Sequence, residues 1–409
     1  MEFDIIRLSN GLRVLHLEDK SIMTAHCGFM INAGSRDERT DEHGLAHLIE
    51  HCLFKGTGRR KAYQILSRLD SVGGEINAYT TKEETCIYAS VLKEHFQRAA
   101  DLLVDITFHS TFPEKEIEKE QSIIIDEINS YKENPDEVLM DEFEERLFPG
   151  DALGRSILGT EASVKLLGKT DIKGFLGRHY TTDQIVFVCV GNVAKRSILH
   201  FCKQSLEQIP SSTSDRPERK KLGEAWFSDR KKEQVHQVHA LIGCQTIGFD
   251  DDKRRAMILL NNVLGGPALN SRLNLNIRER HGYCYYIESN YTPYADAGIF
   301  QIYYGTDQRH QKKVERLIIK ELKLLAKEPM KDRTLTIAQK QLLGQIALSQ
   351  ENRVSLMMAA GRSMLLFDRL DSFEEIKDDV MSITAEEVRQ LAEDTFFNAP
   401  LSFLTYTPA

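Results

Sequence analysis

The chain has 409 residues, 41% of them hydrophobic and 28% charged, with a formal charge of −8. That length and balance describe a globular protein with room for two or three separate cores. The acidic balance, with no basic stripe carrying interleaved aromatics, excludes nucleic acid as the main partner, and no apolar run reaches the ~18–20 residues that span a bilayer.

Taken in chain order, the first residues, Met1-Glu-Phe-Asp-Ile-Ile-Arg7, carry two acids early and no apolar stretch, so no secretory signal is expected. Residues 11–17 and 25–32 alternate as strands, and 42–55 has helical periodicity. Inside that helix lies Gly44-Leu-Ala-His47-Leu-Ile-Glu50-His51. Two imidazoles four apart share one helical face, and a carboxylate sits one position before the second. Such a pair suits a divalent metal with a carboxylate beside an activated water. The order His-x-x-Glu-His inverts the commoner His-Glu-x-x-His of zinc peptidases. The seven cysteines, at 27, 52, 86, 189, 202, 244 and 284, form no Cys-x-x-Cys pair. They are expected as reduced, buried or half-buried thiols, which fits a cytoplasmic protein.

Strands follow near 76–81 and 84–92, then helices over 95–108 and 114–132, the latter opened by Pro113. In this last helix Glu120 and Glu127 are seven apart, two turns along one face. Ile123, Ile124, Ile125 and Ile128 make much of the helix apolar, which puts Glu127 at the edge of a buried surface. A catalytic zinc site wants a third protein ligand from another element, and a carboxylate so placed needs a cationic partner. Residues 170–180 are expected as a helix and Ile185–Val190 as a buried strand.

The chain is then written a second time. His26–Ser35 resembles His239–Gly248 at an offset of 213, and Ala99, Leu102, Leu103 and Val104 recur as Val314, Leu317, Ile318 and Ile319 at 215. Ile172, Phe175, Tyr180, Ile185 and Phe187 return as Val388, Leu391, Phe396, Leu401 and Phe403 at 216. A constant offset in constant order means a duplicated domain. The expected division is 1–209, a polar linker at 210–223, and 224–409. The fold class is α+β, each domain a mostly antiparallel sheet with helices packed on one face. Gly265-Gly266 is expected to end a helix, and Thr384 with Glu387 to cap the last one. In the second copy His47, Glu50 and His51 become Leu260, Val263 and Leu264, and Glu120 and Glu127 become Leu335 and Leu342. The fold pattern is retained while the polar set turns aliphatic, which points to chemistry in the first copy. By spacing alone, Arg278 reads as a helix C-terminal dipole partner and Tyr285 as one tyrosine of a strand.

His47-x-x-Glu50-His51, with Glu127 76 residues later and Glu120 seven before it, resembles the pitrilysin-like inverted zinc metallopeptidases. That family includes the mitochondrial processing peptidase and the insulin-degrading enzyme. The resemblance extends over the duplication, over Gly73-Gly-Glu-Ile-Asn-Ala-Tyr-Thr80, and over Arg278-Glu-Arg-His-Gly-Tyr-Cys-Tyr285. One departure is Gly150-Asp-Ala-Leu-Gly154, where many relatives read His-Pro-Leu-Gly. The resemblance implies a small two-domain, bacterial-type zinc endopeptidase cleaving peptides or unfolded segments. His47, His51 and Glu127 would hold one Zn²⁺ per chain, Glu50 would be the general base, and Glu120 a carboxylate near the metal. Asn77, Ala78 and Tyr79 would form the strand edge that takes the substrate, and Arg278 and Tyr285 would bind the peptide and stabilise its oxyanion. It also implies a homodimer, or a heterodimer with a related subunit, without nucleic-acid or membrane partners. A catalytically silent peptide-binding or scaffold subunit is the alternative within the same fold. His43 is not a ligand in that pattern and is expected at the helix start.

Overall fold

The computed structural model describes residues 2–216, 219, 222, 223 and 225–409; Pro217, Glu218, Lys220 and Lys221 of the expected linker lie outside the described residues. Packing divides the chain into two compact units. The first comprises Met1–Ser130, Arg155–Glu218 and Leu348–Leu370, and the second Tyr131–Gly154, Arg219–Ala347 and Asp371–Ala409.

The first unit is built on strands β1 (Asp4–Arg7), β2 (Arg13–Glu18), β3 (Thr24–Ile31), β4 (Glu75–Thr80), β5 (Thr85–Leu92) and β6 (Ile185–Gly191). They line up as β1-β2-β6-β3-β5-β4, antiparallel except for the β2–β6 pair. The second unit uses β7 (Ser228–Glu233), β8 (Val238–Thr246), β9 (Cys284–Pro293), β10 (Gly298–Thr306) and β11 (Ser402–Pro408), ordered β7-β11-β8-β10-β9. Here too one pair, β7–β11, is parallel. Strand for strand, β2, β6, β3, β5 and β4 occupy the places of β7, β11, β8, β10 and β9, so the sequence repeat is a structural one. The α+β class and the mostly antiparallel sheets are as expected.

In the first unit, one face of the sheet carries α1 (Leu45–Cys52), α2 (Ala62–Asp70), α3 (Phe96–Phe108) and α4 (Glu114–Tyr131) around a core that includes Phe29, Leu48, Ile65, Leu103 and Ile124. The aligned leucines of the second copy, Leu260, Leu264, Leu335 and Leu342, are all buried in its core. The polar positions of copy one are therefore packing positions in copy two.

Residue by residue, the expected elements are found with ends shifted by a few positions; the helix expected over 42–55 is regular only over Leu45–Cys52. Helices on one face do not, however, complete either unit. β6 is buried along its whole length. The reverse face of its sheet, with Leu15, Met30, Val186 and Val188, is covered by Met357, Ala360 and Met364 of the helix Arg353–Phe367. That helix lies in the second half of the sequence. A Cβ at Gly361 would collide with Met30, so glycine sets how closely the helix approaches the sheet. In the second unit, α5 (Pro135–Leu147) from the first half covers Leu241, Ile299 and Leu404 through Leu139 and Phe143. The division expected at 210–223 follows the chain, whereas the packed units exchange one helical segment each. A strand face as apolar as this must be covered, and local periodicity does not say by what.

Arg353 is held by Asp19 at 2.8 Å, and Asp368, just past the helix end, pairs with Arg7 at 2.8 Å and Arg13 at 3.4 Å. Asp19 is held below its usual 3.8 by Ser21 first and then Arg353. Asp368 is lowered by Arg7 and then Arg13. A carboxylate with a depressed native pKa stabilises above its unfolded value and loses that contribution as pH falls through the native one. Below about pH 4, amides of Arg353–Phe367 are therefore expected to exchange hydrogen faster, after correction for intrinsic rates, than those of β6. Equal protection of helix and strand through pH 3 would show that these ion pairs do not hold the helix. No helix among the described residues is long and apolar enough to cross a membrane.

Candidate metal centre

α1 begins at Gly44, whose φ of 92° favours glycine and whose Cβ would meet Leu158 O. The first free N–H groups of this helix are taken by the buried Glu38 carboxylate, which accepts from Gly44 N at 3.0 Å and Ala46 N at 2.8 Å. Leu45, Leu48, Ile49 and Cys52 go into the core. The opposite face presents His47 and His51, with ring centroids 4.6 Å apart. On α4, Ile117, Ile124 and Ile128 pack inward while Glu120 and Glu127 lie two turns apart.

The two helices bring these side chains together. Nε2 of His47 lies 3.8 Å and Nε2 of His51 lies 3.7 Å from one oxygen, Glu127 Oε2. The three donor atoms fall within 4.8 Å of one another. An ion about 2.0–2.2 Å from each donor in a tetrahedral arrangement needs edges of roughly 3.3–3.6 Å, so the cluster is close to closed. Two imidazoles and a carboxylate are a donor set that zinc accepts. Burial pushes the His47 pKa down to about 4, with His51 adding to the shift. His47 is thus neutral at pH 7, as a ligand must be. Its Nδ1 is buried without a hydrogen-bond partner, leaving Nε2 toward Glu127 as its polar contact.

Glu120 is 3% exposed and stands beside this trio. Its Oε2 lies 3.1 Å from His51 Nδ1 and its Oε1 accepts from Lys55 Nζ at 2.7 Å. A carboxylate at Nδ1 keeps the ring proton there and frees the Nε2 lone pair to face Glu127. Glu50 is half-buried, and burial raises its carboxyl pKa. Thr80 and His51 work against that rise and the Glu127 charge works with it. A carboxylate tuned upward beside a metal site suits proton transfer near neutral pH.

β4 ends the sheet, so its outer edge is unpaired among the described residues. Ala78 N is met by Asn77 Oδ1 at 2.9 Å rather than by a further strand. The Tyr79 hydroxyl donates to Glu84 at 3.1 Å, and Arg362 donates to the same carboxylate. The Tyr79 side chain is therefore tied to its own unit, and the Ala78 N–H is the main-chain donor that points away from β5. His43 bonds Ser156 O at 2.9 Å and stays outside the cluster. Arg278 and Tyr285 belong to the second unit. Arg278 lies within a short π-helical turn, Asn274–Glu279, and donates to Asn274 at 3.2 Å, and Tyr285, on β9, is 85% exposed.

Lys55, Thr80, Glu38 and Arg362 escaped the reading of the sequence. Lys55 had a signal, being four after His51 within the helix expected over 42–55, although it lies just beyond the helix end at Cys52. Arg362 had none, since only the packing of a distant helix brings it to Glu84.

The profile described as Insulinase (Peptidase family M16) matches residues 13–161, and that described as Peptidase M16 inactive domain matches residues 167–342. The chain is 31% identical over 390 residues to "Uncharacterized zinc protease YmxG" of Bacillus subtilis, covering 95% of this chain and 94% of that protein. It is also 31% identical to an uncharacterized zinc protease of Streptomyces coelicolor, covering 96% and 87%. A protease from Helicobacter pylori and a peptidase M16 inactive domain from Pseudomonas fluorescens share its fold, each with a TM-score of 0.90 and 18% identity over 100% of this chain and 99% of the other. The inactive-domain profile falls on the half whose metal positions are leucines.

Proposed function

Because the chain belongs to the insulinase family, peptidase family M16, we propose that it is a zinc-dependent endopeptidase cleaving peptides or unfolded segments. The observation that carries this reading is the convergence of His47, His51 and Glu127 within 4.8 Å, with Glu50 and Glu120 beside them. One zinc per chain, held by that trio, would lower the pKa of a water toward ~7 and polarise the scissile carbonyl. Glu50 takes the proton of the attacking water and returns it to the leaving amine, using one carboxylate as base and then as acid. Glu120 acts through His51, fixing its ring and its proton.

The open β4 edge suits an extended peptide that adds as a further strand, through the main chain at Asn77, Ala78 and Tyr79. Recognition through main chain gives broad sequence acceptance. Arg278 and Tyr285 are the substrate-binding and oxyanion-stabilising groups of the second domain, 224–409, and the metal belongs to the first, 1–209. We further place the enzyme in the cytoplasm, in keeping with seven buried free thiols. A homodimer suffices, because one chain carries both the metal set and the Arg278–Tyr285 pair.

The test is metal content by mass spectrometry together with cleavage of a quenched peptide library. One zinc per chain, and cleavage abolished by chelation and restored by zinc, is the expected result. Zinc without cleavage of any peptide would instead favour the silent peptide-binding subunit, and absence of bound metal would remove the site.

A further inference from the structure

One helical turn before Glu120, α4 borders an open groove of about 890 Å³ in the first unit. Its walls carry Lys55, Arg60, Lys61, Lys115, Lys119 and Lys169, against the two acids Glu114 and Glu116. On a chain of net charge −8, a concavity with that balance is a local reversal of sign.

Three of the cations are compensated. Lys55 pairs with Glu120, Lys119 with Glu116 at 2.6 Å, and Arg60 with Asp101 and the fully buried Asp105. Lys61, Lys115 and Lys169 have no ion pair among the described residues, and Glu114 is the acid at the rim that likewise has none. Lysines spread along a convex surface are simply solvated. Here three without an ion pair line one open concavity, where their fields add. One residue of its wall reaches toward the metal centre: Lys55 holds Glu120, and Glu120 holds His51.

We infer that this groove is a substrate subsite for an acidic side chain of the peptide being cleaved. This rests on the peptidase reading and adds a charge preference to it. From Glu116 to Glu127 the helix rises about 16 Å, and an extended peptide advances about 3.3 Å per residue. The preferred acid thus lies about five residues from the scissile bond. Main-chain pairing along β4 supplies no such selectivity, so the groove confers what the strand edge lacks.

The experiment uses zinc-loaded full-length protein. Fluorescent peptides carry Glu, Gln or Lys walked through positions three to six on each side of a fixed cleavable bond. Affinity is read with Glu50→Gln protein and kcat/KM with wild type, at low and physiological salt. Each is repeated with Lys61→Glu, Lys115→Glu and Lys169→Glu combined. Glu peptides are expected to bind and react about five- to tenfold better than Gln peptides at one or two positions, less so in high salt. The triple variant should invert the order in favour of Lys while binding and cleaving the neutral peptide as the parent does. Equal affinity for Glu, Gln and Lys peptides at every position would overturn the subsite, whatever the cleavage result. A wild type that prefers Glu peptides in binding but cleaves nothing would support the subsite and sink the peptidase reading instead.

Discussion

Glu50→Gln is expected to bind one zinc per chain, unfold at the wild-type temperature, and cleave peptides about a thousandfold more slowly. The substitution keeps shape and volume and removes only the capacity to take a proton. General acid–base catalysis by a positioned side chain contributes typically 10²–10⁴-fold, and the expected loss lies in the middle of that range. Glu50 is no part of the trio whose donors lie within 4.8 Å, so metal content should not follow activity. The pH profile adds a second readout. An acidic limb of kcat/KM in wild type that reports the Glu50 carboxylate should be missing from the residual activity of the variant. A variant with a tenth or more of wild-type activity would mean that another group moves the proton.

Much of this site can be read from residues alone, because each key pair is local. His47 and His51 are fixed four apart by the helix itself, and Glu120 and Glu127 by two turns of another. The duplication supplied a control within one chain: where copy one has these polar groups, copy two has Leu260, Leu264, Leu335 and Leu342, all buried. What remained illegible is what depends on one element finding another. The Lys55–Glu120 pair needs α1 and α4 to be docked before it exists. The cover over Leu15, Met30 and Val188 comes from Met357, Ala360 and Met364, far along the sequence. An apolar stripe on that helix announces only that it is buried, since periodicity carries no address. The same limit applies to Arg362, whose partner Glu84 sits on the opposite side of the chain's linker.

Glu127→Gln is expected to lose zinc and activity together, in contrast to the separation expected for Glu50→Gln. The amide keeps one oxygen donor but not the negative charge. Outer partners of a metal site already cost ~10–100-fold in affinity when removed, and replacing a ligand should cost at least as much. Glu120→Gln is the natural comparison, because it leaves the trio intact and removes the carboxylate at His51 Nδ1. It should weaken zinc within that ~10–100-fold range and regain activity when zinc is raised. Thermal melts separate the cases without any substrate. At zinc a thousandfold above Kd, wild type gains about 4 kcal/mol, and Glu127→Gln should lose most of that shift at the same concentration. His47 does not blur the comparison at pH 7, since its pKa of about 4 leaves it neutral. If Glu127→Gln keeps stoichiometric zinc while Glu120→Gln does not, the carboxylate ligand is Glu120. His51 would then have to turn its Nδ1 to the metal, which requires breaking the contact at 3.1 Å that now holds the ring.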